Sequence, residues 1–270
     1  VALLTNRTGS LTSVARVGNA APDAAGAASA TDLYRTFSGS QLAFNDAGHT
    51  AFIATLRNAA GTQTATSALF TDTGSGILRQ VGRNGDALPA IGNSSPGEFA
   101  GATWSSFSSP LLTASGSMAF QASIAGTPAG TTNLILTMST GGAMNRIARS
   151  SNQTNPGDIA IAGGAPLGGD AYFTSFSSIA VNASGQMAFQ ALLNGNGIFG
   201  GAGGNNSAIF AYDPSLGICL IARTGDFFEV APGDFRVIST LGGIVSSGGQ
   251  DGRTQSLSAT GYLSYELEFT

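Results

Sequence analysis

The sequence predicts an all-β fold, a four-bladed β-propeller of four-stranded antiparallel blades whose ring is closed by two strands from each terminus. Three observations lead there. A turn glycine before an apolar strand recurs at Gly48, Gly116, Gly185 and Gly261, spaced 68, 69 and 76 residues apart. An apolar strand ending in arginine recurs at Arg16, Arg83, Arg149 and Arg223, spaced 67, 66 and 74 apart. Between these landmarks lie short β-like runs and glycine turns, with no capped helix-period segment, which suits a propeller blade with long loops.

Within one period, strand one is the short run before the turn, at 41–44, 110–112 and 179–181. The turns Asn45-Asp-Ala-Gly48, Thr113-Ala-Ser-Gly116 and Asn182-Ala-Ser-Gly185 put Asn or Asp where it satisfies the backbone, and Gly where a hairpin needs positive φ. Strand two follows at 50–56, 117–124 and 186–193. It is apolar on both faces, as in Met187-Ala-Phe-Gln-Ala-Leu-Leu193, as a strand between neighbouring sheets should be. Strand three is 67–71, 133–137 and 207–212, and strand four carries the arginine.

Residues 1–16 align with strands three and four, and residues 256–269 are a worn copy of strands one and two. Joined, they make one blade. Residues 261–269 are therefore expected to pair antiparallel with residues 1–5 of the same chain, which removes open sheet edges. The same halves can instead pair between neighbouring molecules, since only loop-closure entropy separates the two arrangements, but dilute solution favours closure. The expected organisation is one domain over 1–270, with blade 1 at about 36–104, blade 2 at about 105–173, blade 3 at about 174–240, and blade 4 from 241–270 plus 1–35. A fragment of a larger ring is the competing reading.

Composition narrows the partners. Charged residues make up 10% of the chain, all eleven cations are Arg, and fifteen carboxylates bring the net charge to −4. Such a chain has no basic field for phosphate backbones, so nucleic acid is not an expected partner. No apolar run approaches the roughly 18 to 20 residues of a membrane helix, so membrane insertion is not expected either. The lone Cys219 lies in an apolar strand and reads as a buried small hydrophobe.

The pattern Asn182-x-x-Gly185-x-x-Ala188-Phe189-x-Ala191 and its copies are followed by Ala208-Ile-Phe210 and Ile221-Ala-Arg-Thr-Gly-Asp226. Together they resemble the N-x-x-G-x-x-A-F-x-A repeats of exported bacterial tandem-repeat proteins, many of which carry a C-terminal sorting anchor. The resemblance covers nearly the whole chain. It implies a β-propeller-like protein that is secreted or held at the cell surface.

Chemistry is sparse. Each arginine landmark is followed by a turn: Arg16-Val-Gly-Asn19, Arg83-Asn-Gly-Asp86, Arg149-Ser-Ser-Asn152 and Arg223-Thr-Gly-Asp226. Read functionally, Arg16, Arg83, Arg149 and Arg223 with Asp86 and Asp226 form a girdle beside the loop aromatics Tyr34, Trp104 and Phe173, able to bind glycan by planar hydrogen bonds and stacking. Read structurally, each arginine pins its own loop, and this is preferred because repeated positions usually serve the repeat. His49 reads as a surface histidine. With one His and one Cys, no His-based triad or common zinc site can be assembled. The four Glu suggest no carboxylate pair, and Asp72, Asp170, Asp213, Asp234 and Asp251 lack the spacing of a calcium loop. The five Asn-x-Ser/Thr sequons, at Asn6, Asn93, Asn152, Asn182 and Asn205, are what such a composition gives by chance.

The expected protein is not an enzyme and takes no cofactor or metal. It is a non-catalytic exported binding or adhesion module engaging glycan or another surface polymer. The alternative is a structural, self-associating subunit of an extracellular layer or fibre.

Overall fold

The computed structural model describes residues 1–270 apart from 6–8, 59, 61–65, 128–131, 151–160, 163–164, 167–170, 202 and 249–254. Among the described residues there are strands and no helix. β1 (Ala2–Thr5) and β2 (Thr12–Arg16) form a two-stranded antiparallel sheet. β3 (Ala20–Pro22), β4 (Ala28–Phe44), β5 (Thr50–Asn58), β6 (Thr66–Thr71) and β7 (Arg79–Arg83) follow in chain order as a second antiparallel sheet. The next sheet runs β9 (Thr103–Leu112), β10 (Met118–Ala125), β11 (Asn133–Met138) and β12 (Met144–Arg149), with β8 (Ile91–Gly92) added parallel to β12. β13 (Ile161–Ala162) and β14 (Ala165–Pro166) make a small hairpin. β15 (Tyr172–Val181), β16 (Met187–Asn194), β17 (Ser207–Asp213) and β18 (Gly217–Arg223) form another antiparallel meander. β19 (Phe227–Ala231), β20 (Asp234–Leu241) and β21 (Leu267–Phe269) form a three-stranded sheet.

The chain divides into two compact units, Val1–Thr127 with Leu136–Arg146, and Pro128–Ile135 with Ile147–Thr270. The first is centred on Tyr34, Phe52 and Phe70, whose rings lie 5.2 to 6.2 Å apart. The second repeats that arrangement with Phe173, Phe189 and Phe210, at 4.9 to 6.0 Å. Burying three such rings against one another is the main local source of stability, since each removes a large apolar area from water.

Strands one and two keep one register in all four repeats. Tyr34, Trp104, Phe173 and Ile238 face Leu56, Ile124, Leu193 and Phe269. Phe37, Phe107, Phe176 and Leu241 face Ala54, Ala122, Ala191 and Leu267. In every copy a bulge falls between these two pairs. The extra residue brings side chains three apart onto one face, where an unbroken strand would put them on opposite faces. This corrects the short strand one expected from sequence: β4 has 17 residues, and β9 and β15 have 10 each. The bulge shifts the phase of the alternation, and Ser-rich stretches such as Ser105-Ser106 and Ser177-Ser178 interrupt the apolar pattern beside it.

Strands three and four also share a register. Ala2, Ala68 and Ala208 face Arg16, Arg83 and Arg223, and a bulge then follows Leu3, Leu69 and Ile209. β1 and β2 thus carry the register of strands three and four, and β20 and β21 that of strands one and two.

The expected ring closure does not form. Among the described residues β1 pairs with β2 alone and β21 with β20 alone, so residues 261–269 do not pair with residues 1–5. The physical reason is that each half has its own anchor. Leu3 and Val14 pack on the Tyr34, Phe52 and Phe70 cluster, while Leu241, Leu263 and Tyr265 pack on Ala188, Ile209 and Ile244.

Candidate functional site

Each arginine landmark ends a strand four, and after Arg16, Arg83 and Arg223 the described residues form tight turns with one hydrogen-bond pattern. Asn19, Asp86 and Asp226 donate their backbone N–H to the carbonyls of Arg16, Arg83 and Arg223 at 3.1, 3.0 and 3.2 Å. The glycines between, Gly18, Gly85 and Gly225, have φ of 89°, 91° and 82°, a conformation that favours Gly. Each donates its own N–H to the next strand one, at the carbonyls of Tyr34, Trp104 and Ile238, at 2.9, 2.8 and 2.8 Å. Those same residues return an N–H to the carbonyls of Asn19, Asp86 and Asp226 at 3.0 Å. The turn therefore fastens the end of one repeat to the first strand of the next.

At two of these corners the guanidinium folds back on the turn. Arg83 donates from Nε and Nη2 to Asp86 Oδ1 at 3.2 and 3.0 Å, and from Nη1 to Asp32 Oδ2 at 2.7 Å. Arg223 donates from Nε and Nη2 to Asp226 Oδ1 at 3.1 and 2.6 Å. Arg16 is exposed beside a neutral Asn19, and Arg149 is half-buried in β12, with its turn residue Asn152 outside the described residues. Sequons at Asn6 and Asn152, and the loop carboxylates Asp170 and Asp251, lie outside them as well.

The aromatics expected to flank the girdle as loop residues are strand residues, and they face inward. Tyr34 is 2% exposed, Trp104 1% and Phe173 0%, leaving no ring face for a sugar to stack on. Their burial follows from the bulge that turns them onto the core face. Trp104 also explains why Gly82 replaces the alanine that precedes the other landmark arginines: a Cβ there would lie 2.7 Å from the indole Nε1.

The hairpin turns carry a second set of fastenings. Asn45 Oδ1 accepts the His49 N–H at 2.9 Å, and its Nδ2 donates to the carbonyl of Thr113 at 2.9 Å. Asn182 does the same, accepting from Ser184 and Gln186 and donating to the carbonyl of Ser258 at 3.0 Å. The Asn182 sequon residue is thereby occupied, as the turn chemistry implies. His49 is not the exposed residue expected: its side chain is 17% exposed and its Nδ1 lies 3.5 Å from Asp72 Oδ1. Gln186, in the equivalent place, donates to Asp213 Oδ2 at 2.9 Å. The Ser215 hydroxyl and then the Gln186 amide push the Asp213 carboxyl down to about 2. Cys219 is half-buried rather than buried.

One polar pair had no signal in the sequence. Glu98 and Arg146 form a nearly buried ion pair across 48 residues, and Glu98 also accepts the Ser95 N–H at 2.9 Å. Nothing in the spacing of a single Glu and a distant Arg could have joined them. Among the described residues no three His, Cys, Asp or Glu side chains converge as a metal site would need, and no helix is long and apolar enough to cross a membrane.

A family model described as a family of unknown function, DUF7453, matches residues 1–270. The chain belongs to the DUF7453 family. No curated protein and no solved structure matches it. In this DUF7453 chain the guanidinium groups of Arg83 and Arg223 are held by aspartates, while Arg16 is exposed. A groove of about 440 Å³ runs beside β1, lined in part by Leu4, Val14, Leu42 and Phe44, and Leu4 and Phe44 are 55% and 48% exposed.

Proposed function

We propose that this DUF7453 chain is a non-catalytic structural module that self-associates into an extracellular layer or fibre. The observation that supports the reading is the exposed apolar groove beside β1, where Leu4 and Phe44 are 55% and 48% exposed. A contiguous apolar patch left in water marks a surface for association with another molecule. The meanders are read as propeller-like blades, joined to one another by the arginine corners. Export to the cell surface rests on the repeat pattern and on a low-charge, Gly- and Ser/Thr-rich composition. The glycan-binding girdle has less support, because Arg83 and Arg223 are committed to aspartates and the aromatics beside them are buried.

Light scattering and electron microscopy on the purified full chain test this. Species that grow with concentration into filaments or sheets are the expected result. A monomer at every concentration would overturn it, and a glycan array with binding above background, lost on Arg83→Ala, would then move the reading to a binding module.

A further inference from the structure

We infer that a cavity between the end of β16 and the connection to β17 binds a single neutral pyranose ring of a glycan, with Phe199 as the stacking face. This goes beyond the self-associating reading and does not depend on it. The cavity has a volume of about 240 Å³ and is lined in part by Thr174, Leu192, Asn194, Phe199, Gly200 and Asn206, all within the second compact unit. The connection 195–206 is longer than 59–65 and 126–132, which join the same two strands in the first two complete repeats. Leu192 stands where those repeats carry Thr55 and Ser123. Features found in one repeat only are not needed to build the repeat.

Asn205 fixes the backbone that carries the aromatic. Its N–H donates to the Phe199 carbonyl at 2.9 Å, its Oδ1 accepts the Phe199 N–H at 2.9 Å, and its Nδ2 donates to the Gly197 carbonyl at 2.8 Å. The fold of the connection is close: a Cβ on Gly204 would lie 2.7 Å from the Phe199 carbonyl oxygen. Phe199 is nevertheless 58% exposed, and Leu192 on the same cavity 44%. An aromatic with a fixed backbone and a ring left in water is preorganised for stacking, so a ligand pays little to order it.

The rest of the lining decides the class of ligand. Among the described residues no charged side chain lines the cavity, so an ionic ligand would meet no counter-charge. The side-chain amide of Asn206 has no hydrogen-bond partner among the described residues, and Asn194 uses only its Oδ1, which accepts the Gly195 N–H at 2.7 Å. Gly200 leaves the Asn206 amide uncovered, since a Cβ there would lie 3.0 Å from its Nδ2. A purely apolar ligand would strand both amides. A neutral sugar satisfies both demands: its C–H face covers Phe199 and Leu192, and its hydroxyls, which donate and accept, meet amides that do the same. The cavity is smaller than the roughly 300–1,000 Å³ pockets that hold drug-sized ligands, so it takes one ring, with a dissociation constant of about 1 mM.

Saturation-transfer NMR on the full chain tests this, with the methyl glycosides of glucose, galactose, mannose and N-acetylglucosamine as probes and glucuronate as the charged control. Transfer to at least one neutral sugar and none to glucuronate is expected. Phe199→Ala removes a ring that stands mostly in water, so the thermal melt should hold while binding weakens about tenfold. Gly200→Ala presses a methyl onto the Asn206 amide and should weaken binding with Phe199 still in place. No transfer to any neutral sugar overturns the inference, and so does binding that survives both substitutions. Equal transfer to glucuronate overturns the neutral class. Binding kept in Phe199→Ala but lost in Arg83→Ala overturns the site in favour of the arginine girdle. A wild type that binds no sugar, with oligomers that fall apart on Phe199→Ala, overturns it in favour of a contact between copies and leaves self-association standing.

Discussion

Asn45, buried in the hairpin turn between β4 and β5, donates its side-chain amide to the carbonyl of Thr113, 68 residues and one repeat further along the chain. Its other half accepts the His49 N–H, so one side chain shapes its own turn and reaches the next. Asn45→Ala removes both bonds from a buried site and is expected to cost about 1–3 kcal/mol in urea unfolding. Asn45→Asp keeps the acceptor but turns a carboxylate toward a carbonyl oxygen, and should cost at least as much. An aspartate variant as stable as wild type would show that the reach to Thr113 carries no weight.

Gly82 and Trp104 form a size-matched pair, as do Ala15 and Tyr34 at the equivalent places. Gly82→Ala drives a methyl into the indole and should lower stability by about 1–3 kcal/mol through overpacking. Adding Trp104→Tyr, which restores the combination used in the first repeat, should make the double variant lose less than the sum of the two single losses. Strict additivity in thermal melts would contradict the contact.

Tyr34 buries its hydroxyl without a hydrogen-bond partner, and burial pushes its phenol pKa well above the usual range. Phe173 stands at the same place in the third repeat. Tyr34→Phe removes an unsatisfied polar atom and should leave stability unchanged or raise it by up to about 1 kcal/mol. A loss of more than that in a calorimetric melt would mean that the hydroxyl has work to do.

Asp213 is more acidic in the folded chain than the ordinary 3.8 because the Ser215 hydroxyl and the Gln186 amide donate to it. A carboxyl acidified by folding adds stability that is complete above its unfolded value, near pH 4, and fades as the pH falls toward about 2. An NMR titration of its carboxyl carbon should give a midpoint of about 2, and Ser215→Ala should move that midpoint upward. A midpoint unchanged by that substitution would count against the serine as the main cause.

The repeat, the hairpin turns and the identity of strands two, three and four were legible in the sequence, because turn glycines and apolar runs encode local backbone geometry and need no knowledge of distant partners. The division of one repeat between residues 1–16 and 256–269 was read from the same landmarks, and in the structure a bulge follows Leu3 as it follows Leu69 and Ile209. Tertiary structure decided the rest. Whether Tyr34 and Trp104 faced water or core depended on a bulge that leaves no mark in composition and reverses the face of every residue beyond it. Whether Arg83 met a ligand or Asp32 depended on a contact across 51 residues, and the pairing of Glu98 with Arg146 on one across 48. Where the terminal strands rest was likewise decided by what each could bury, Leu3 and Val14 on one cluster and Leu263 and Tyr265 on another, partners that no local pattern announces.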